Sequence, residues 1–348
     1  MKYVFFILAA FLLYLLPTTS KAAEYVYIVE NNHLSAPNKL LKIRTSSMAV
    51  AREMDVYRDF YSIALSSEGS RLWGSFKNVN YIFLVNTRTF EKIKTIDLGD
   101  IILKKPAGIA CTSNNRAYVA FSETGEVGIY NATTGAYIDT ISVGGTPMRI
   151  FISPDESFAY LVNYQGPPPK ITVLRLSDHQ VLKNITFEGP SVQEGVFSPD
   201  GSLFYLANMS EGQIERIRTS DHTLLTAYTT SDVNPRSLGI TPDGSYLFVG
   251  HYTGVNSLVN MWKLSTWSIV DSANIPHNAR FIAVREDGTR LYVSEHSGNQ
   301  CYAFDVSGES LTHHDHLDLG GGFVSMNLVI NEELALSAAP VNYLLLGQ

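Results

Sequence analysis

Seven related turn strings at near-constant spacing, short β-rich strands flanking each, and the lack of a long helical period predict an all-β chain. They predict a seven-bladed β-propeller of four-stranded antiparallel blades. The strings are SSEG (66–69), TSNN (112–115), SPDE (153–156), SPDG (198–201), TPDG (241–244), REDG (285–288) and the weaker INEE (330–333). Their starts lie 46, 41, 45, 43, 44 and 45 residues apart, a mean of 44.

Each unit repeats one grammar. An apolar strand A enters the turn, as in LGITPDG and GVFSPDG. Strand B leaves it, as in YLFVGHY, LFYLANM and RAYVAFS. Strand C follows a polar loop, as in VGIYNAT and VNMWKLS, and strand D ends the unit, as in AYIDTISVGG. In the turn, Pro presets φ near −65°, Asp bonds back to nearby backbone and Gly accepts positive φ. Strands of five to seven residues rich in Val, Ile, Tyr and Phe are what such turns join. A lone four-stranded unit cannot bury both faces. A ring of units can, and it leaves few open sheet edges.

The chain ends decide the blade number. EYVYIVE (24–30), KLLKIRT (39–45) and AVAREMDV (49–56) read as B, C and D without an A. FVSMNLVI (323–330), LALSAA (334–339) and NYLLLG (342–347) read as A, B and C. Seven blades closed by N-terminal strands on the C-terminal unit is the expectation, with two strands left over. Eight blades, two of them incomplete, is the alternative.

The units resemble the YVTN family of β-propeller repeats. AYLVN (159–163), FYLAN (204–208), YIDTISVGGTP (137–147) and the Ser-Pro-Asp-Gly turns carry the likeness, which covers nearly all of residues 24–348. It implies the propeller fold and says little about function. The architecture is also that of seven-bladed lactonases, although no lactonase motif is matched.

The first 22 residues read as an address. Lys2 precedes an unbroken apolar run from Tyr3 to Leu16, Pro17 ends it, and Ser20-Lys21-Ala22 supplies small residues for cleavage. The run of 14 is short for a membrane span. The expected domains are therefore a signal peptide, 1–22, and a single propeller, 23–348. The expected product is secreted or periplasmic, with no stable membrane span after cleavage, and monomeric.

Composition excludes several classes. The chain of 348 residues is 45% hydrophobic, 17% charged and carries a net charge of −7. Loss of Lys2 and Lys21 would make that −9. Non-specific nucleic-acid binding is not expected of such a chain. Two cysteines, Cys111 and Cys301, fall in different repeats and read as buried free thiols. No GxSxG, P-loop, GxGxxG, HExxH or CxxCH occurs, and no cofactor is expected.

Counting back from the turns locates the channel rim. Arg58, Asp59, Lys104, Lys105, Arg149, Glu194, Arg236 and Arg280 fall there, six basic against two acidic. A basic rim on an acidic chain points to a small anion or carboxylate. The B-strand ends place Glu123, Asn163, Asn208, His251, Glu295 and His296 on the same face. The expected ligand-binding set is Arg149, Arg236, Arg280, Arg58, Asn163 and Asn208.

The leading expectation is a binding propeller for a protein, glycan or small anion. The first alternative is a lactonase-like hydrolase using His251, His296 and Glu194. The second is an accessory subunit of a periplasmic redox enzyme. His314 and His316, placed on one face of a D strand by alternation, are weak metal candidates. Asn131, Asn184 and Asn208 head glycosylation sequons.

Overall fold

The computed structural model describes residues 23–30, 38–56, 60–76, 78–99, 103–163, 169–189, 191–230, 234–296, 298–319 and 324–333. The expected signal peptide, Arg58, Asp59 and the stretches 334–339 and 342–347 lie outside them. Among the described residues, 28 strands form seven four-stranded antiparallel sheets. The chain forms seven blades, not eight.

Blade 1 holds β1 (Ala23–Glu30), β2 (Asn38–Arg44) and β3 (Ala49–Val56), completed from the far end of the chain. Blade 2 is β4 (Phe60–Leu65), β5 (Arg71–Phe76), β6 (Tyr81–Asn86) and β7 (Glu91–Asp97). Blade 3 is β8 (Pro106–Thr112), β9 (Arg116–Phe121), β10 (Glu126–Asn131) and β11 (Tyr137–Ser142). Blade 4 is β12 (Pro147–Ile152), β13 (Phe158–Asn163), β14 (Lys170–Arg175) and β15 (Gln180–Thr186). Blade 5 is β16 (Val192–Phe197), β17 (Leu203–Asn208), β18 (Gln213–Arg218) and β19 (Thr223–Thr229). Blade 6 is β20 (Pro235–Ile240), β21 (Tyr246–His251), β22 (Val255–Lys263) and β23 (Ser268–His277). Blade 7 is β24 (Ala279–Val284), β25 (Arg290–Glu295), β26 (Gln300–Ser307) and β27 (Ser310–Asp318). The last strand, β28 (Val324–Glu333), is the inner strand of blade 1 and pairs antiparallel with β1, Ala23 opposite Glu333. The inner strands touch in ring order from β28 through β4, β8, β12, β16, β20 and β24 back to β28.

The A–B turns follow the expected local chemistry. The fourth residue donates its N–H to the first residue's carbonyl at 2.8–3.1 Å in six turns. That fourth residue has φ between 55° and 72° in all six. Four of them are Gly, one is Asn115, and one is Glu156, which bears the strain of a left-handed side-chain residue. In SPDG, the Ser198 hydroxyl donates to Asp200 at 2.6 Å, and Asp200 accepts the Ser202 N–H at 3.0 Å. Ser153 with Asp155, and Thr241 with Asp243, repeat the arrangement. The seventh string, INEE, makes no such turn, because it is the end of β28 paired to β1.

The seams between blades are aromatic. A B-strand ring of one blade reaches the C–D turn of the next. Tyr160 Oη meets His222 Nδ1 at 2.8 Å, Tyr118 Oη meets His179 Nε2 at 3.4 Å, and Trp73 Nε1 donates to the Ala132 carbonyl at 2.8 Å. Tyr205 and Trp267 lie 5.8 Å apart at the matching place. Tyr160, Tyr118 and Trp73 are large, buried and have their polar atoms placed, which is how an aromatic seam is stabilised. At the closure, Tyr292 Oη donates to buried Glu24 at 2.8 Å, and Arg285 Nε lies 2.6 Å from the same carboxylate.

Candidate functional site

Residues of the inner strands β4, β8, β12, β16, β20 and β24 line a central channel of about 620 Å³. The packing needs Gly108 on its wall: a Cβ there would sit 2.8 Å from the Arg149 backbone of the next blade.

Arg149 dominates the channel. It leaves β12 in blade 4, yet its guanidinium carbon is 4.8 Å from the Tyr61 ring centroid of blade 2 and 5.3 Å from that of Phe281 in blade 7. Neither is an adjacent blade, so the side chain lies across the channel. Its Nε is 3.5 Å from Glu194 Oε2 of β16 in blade 5. Arg280 stacks on the same Phe281 ring at 5.4 Å. Arg236 of β20 covers the Tyr252 ring at 4.6 Å and lies 3.9 Å from Met209 Sδ. Arg149 and Glu194 thus meet on the channel wall, while Arg236 and Arg280 occupy matching bulge positions at the starts of β20 and β24.

Burial raises the Glu194 carboxyl above its ordinary value, and the charges of Arg149 and Arg236 offset part of that rise. A carboxyl among cations that still resists ionisation is held by desolvation. The channel wall thus carries the Arg149 guanidinium beside an acid whose charge is costly.

The rest of the predicted rim behaves differently. Lys104 pairs with Glu126 at 3.1 Å and Lys105 with Glu123 at 2.6 Å, both within blade 3. These lysines bring no unbalanced charge to the mouth.

The B-strand ends are a second departure from expectation. Asn163, Asn208, His251 and Glu295 are not loop residues facing the channel. They are 2%, 0%, 0% and 0% exposed, packed inside their blades. Asn163 donates to Thr172 Oγ1 at 3.0 Å, and Asn208 donates to Glu215 at 2.9 Å. His251 Nε2 lies 3.1 Å from Asn260 Nδ2. Glu295 accepts the His277 N–H at 2.9 Å, and its burial pushes the carboxyl up. The last residue of a B strand points inward by alternation, and a short polar side chain there bonds the neighbouring strand or loop. His296, one residue on, is half-buried and its ring is 5.6 Å from Tyr252. The structure does not bring His251 to the channel wall.

The outer strand of blade 7 corrects another expectation. A bulge interrupts the β26–β27 ladder between Ala303 and Phe304, so that Asp315 and His313, not consecutive residues, face them. His314 is the extra residue, and its Nδ1 lies 2.8 Å from Asp305, which also binds Arg290. His316 is placed with His313 instead. Both cysteines are free thiols, pushed up by burial to about 12. Of the sequon residues, Asn184 is exposed, Asn208 is fully buried, and the Asn131 side chain accepts the N–H groups of Thr133 and Thr134.

What the sequence missed is the set of aromatic partners. Tyr252 and Phe281 hold Arg236 and Arg280 within their own blades, whereas Tyr61 and Phe281 hold Arg149 from blades that local motifs do not relate. A counted rim position gives the residue, and only the ring geometry gives its neighbour across the channel.

No family model matches the chain, and no curated protein does. The likeness to YVTN repeats thus rests on the repeat motifs. Solved structures match in large number, 1768 chains, which marks a fold that many activities share. One is from the hydrazine synthase of Kuenenia stuttgartiensis, at 16% identity and a TM-score of 0.68, covering 80% of this chain and 95% of that one. Another is a functionally unknown protein from Desulfotomaculum acetoxidans DSM 771, at 17% identity and a TM-score of 0.71, covering 89% and 99%. At such identities the likeness is one of fold, and the chain is a seven-bladed β-propeller similar in structure to both.

Proposed function

We propose that the chain is an extracytoplasmic binding propeller that takes a small carboxylate at the channel mouth. Its compartment is argued from the N-terminal address alone. The observation that carries the ligand is Arg149 lying across the channel against Glu194, with the Arg236 charge acting on the same carboxyl. A guanidinium stacked on an aromatic ring directs its N–H donors in plane, which is the geometry carboxylates accept. The rings fix the guanidinium planes in advance, which lowers the ordering cost of binding. An incoming carboxylate would take the place of Glu194 beside Arg149.

The test is a thermal-shift and calorimetric titration with acetate, succinate, citrate and a lactone panel. At about 100 times Kd, a ligand should stabilise the fold by about 2.7 kcal/mol. That gain should vanish in Arg236→Ala. Failure of every carboxylate to bind would overturn the proposal. The hydrolase alternative draws on the raised Glu194 carboxyl, a general-base candidate in a cleft. Lactone turnover abolished by Glu194→Gln would favour it over binding alone.

A further inference from the structure

A bulge in the outermost strand of blade 7 builds a feature that neither the channel nor the repeat uses. His313 and His316 are three residues apart, and regular alternation would send them to opposite faces. The extra residue, His314, restores them to the same face. Their ring centroids are 5.7 Å apart. Both rings rest against Tyr302, at 6.0 Å and 5.6 Å, and His313 also meets Phe304 at 5.8 Å. Tyr302 is only 6% exposed, so the two imidazoles cover it and are positioned by it. Both histidines are themselves exposed.

We propose that His313 and His316 form a two-imidazole chelate for a first-row divalent transition metal. Two imidazoles on one such ion, with metal–nitrogen bonds of about 2.1 Å, place their ring centroids about 4.5–5.5 Å apart. The observed separation needs only a small side-chain rotation to reach that range, and exposed side chains make such rotations freely. Imidazole nitrogen suits copper, nickel and zinc, and affinity should follow the order nickel below copper above zinc. The surroundings favour a cation. Asp315 and Asp318 lie on the same strand. Buried Glu295, whose Oε2 accepts no hydrogen bond among the described residues, is within electrostatic reach of His316. His314 takes no part, because Asp305 and Arg290 hold it on the other side. Water would complete the coordination, as expected of an open two-ligand site.

The experiment is a calorimetric titration of the chain, carrying no polyhistidine tag, with Cu²⁺, Ni²⁺ and Zn²⁺ as free ions. The expected result is one site per chain that His313→Ala and His316→Ala each weaken about tenfold or more. His314→Ala should leave it unchanged. Each substitution lies on an exposed strand, and circular dichroism of the variants establishes that the fold persists. No binding by the wild-type chain would overturn the proposal. So would binding that His313→Ala or His316→Ala leaves intact, or an equal loss in His314→Ala.

Discussion

The two faces of the disc treat their acids in opposite ways. On the face of the A–B turns, Asp155, Asp200 and Asp243 are each bonded by a hydroxyl two residues before and an N–H two residues after. Those bonds hold all three carboxyls below the usual carboxylate value. At the channel mouth, Glu194 is raised by burial, and its partners come from blades 4 and 6. One face satisfies charge within a few residues of sequence. The other does so across the ring. A repeat can copy the first arrangement into every unit, whereas the second exists once, so individuality and ligand recognition gather at the mouth.

The largest effect should come from removing the cation that spans the channel. Arg149→Ala leaves Glu194 with less compensation and empties the gap between Tyr61 and Phe281. Breaking a partly buried pair of this kind should cost about 1–3 kcal/mol, discounted from the fully buried case. Carboxylate binding should fall more than tenfold. The matching change on the other face, Asp200→Ala, removes hydrogen bonds worth about 1–2 kcal/mol and should leave carboxylate affinity unchanged. Urea unfolding and calorimetry of both variants separate the faces. Equal loss of ligand affinity in the two would abolish the distinction.

Acidification should act on the faces in sequence. Burial lowers His179 and His222, the seam histidines, below their ordinary value near 6.5. Their folded forms resist protonation, so the stability they carry is whole above pH ~6.5 and is lost as pH falls from there through the depressed folded values. Glu194 behaves in reverse. Its folded pKa is raised, so protonation sets in above the ordinary carboxyl value and removes the acid that competes for Arg149. Carboxylate affinity should therefore rise as pH drops toward about 4.5 while the ligand stays ionised. The turn aspartates, with depressed values, should hold until pH falls below about 3.8. Denaturant melts and titrations from pH 7.5 to about 3 test this order. An affinity that declines with acid would refute the role given to Glu194.

The smallest effect belongs to a single turn. Glu156 occupies the position that Gly holds in SPDG and TPDG, at φ 55°. Elsewhere in the ring a Cβ at that place would approach the Pro of the preceding turn, as Gly201 does Pro154 and Gly244 does Pro199. Blade 3 has Ser113 where those turns have Pro. Glu156 bonds the Ser113 N–H at 2.6 Å and its hydroxyl at 2.7 Å. Glu156→Gly relieves about 1 kcal/mol of backbone strain and forfeits exposed hydrogen bonds of similar size. The net change in stability should be within about 0.5 kcal/mol.

That exchange also shows what the sequence can carry. SPDG is legible because its chemistry is complete within five residues. Seven blades were legible from the spacing, and the closure from the missing A strand at one end. The seams were only half legible: Tyr118 and Tyr160 stand out in their B strands, but their partners His179 and His222 lie some 60 residues away, in turns with no marked motif. The B-strand ends misled for a related reason. Asn163 and His251 are polar, and polarity at a strand end reads as exposure unless the partner, Thr172 or Asn260, is known. The pair of His314 with His316 failed because alternation holds only while the ladder has no bulge.

The join of β1 to β28 gives the ring a mechanical weak point. Six blades are each drawn from one continuous run of chain, whereas blade 1 is held by strands from opposite ends. Ala23 faces Glu333, so the two ends leave the same edge of an antiparallel ladder. Tension between them would load the hydrogen bonds one at a time, as in opening a zipper, and not all together in shear. Along this one axis of pull, force therefore meets the ladder one hydrogen bond at a time.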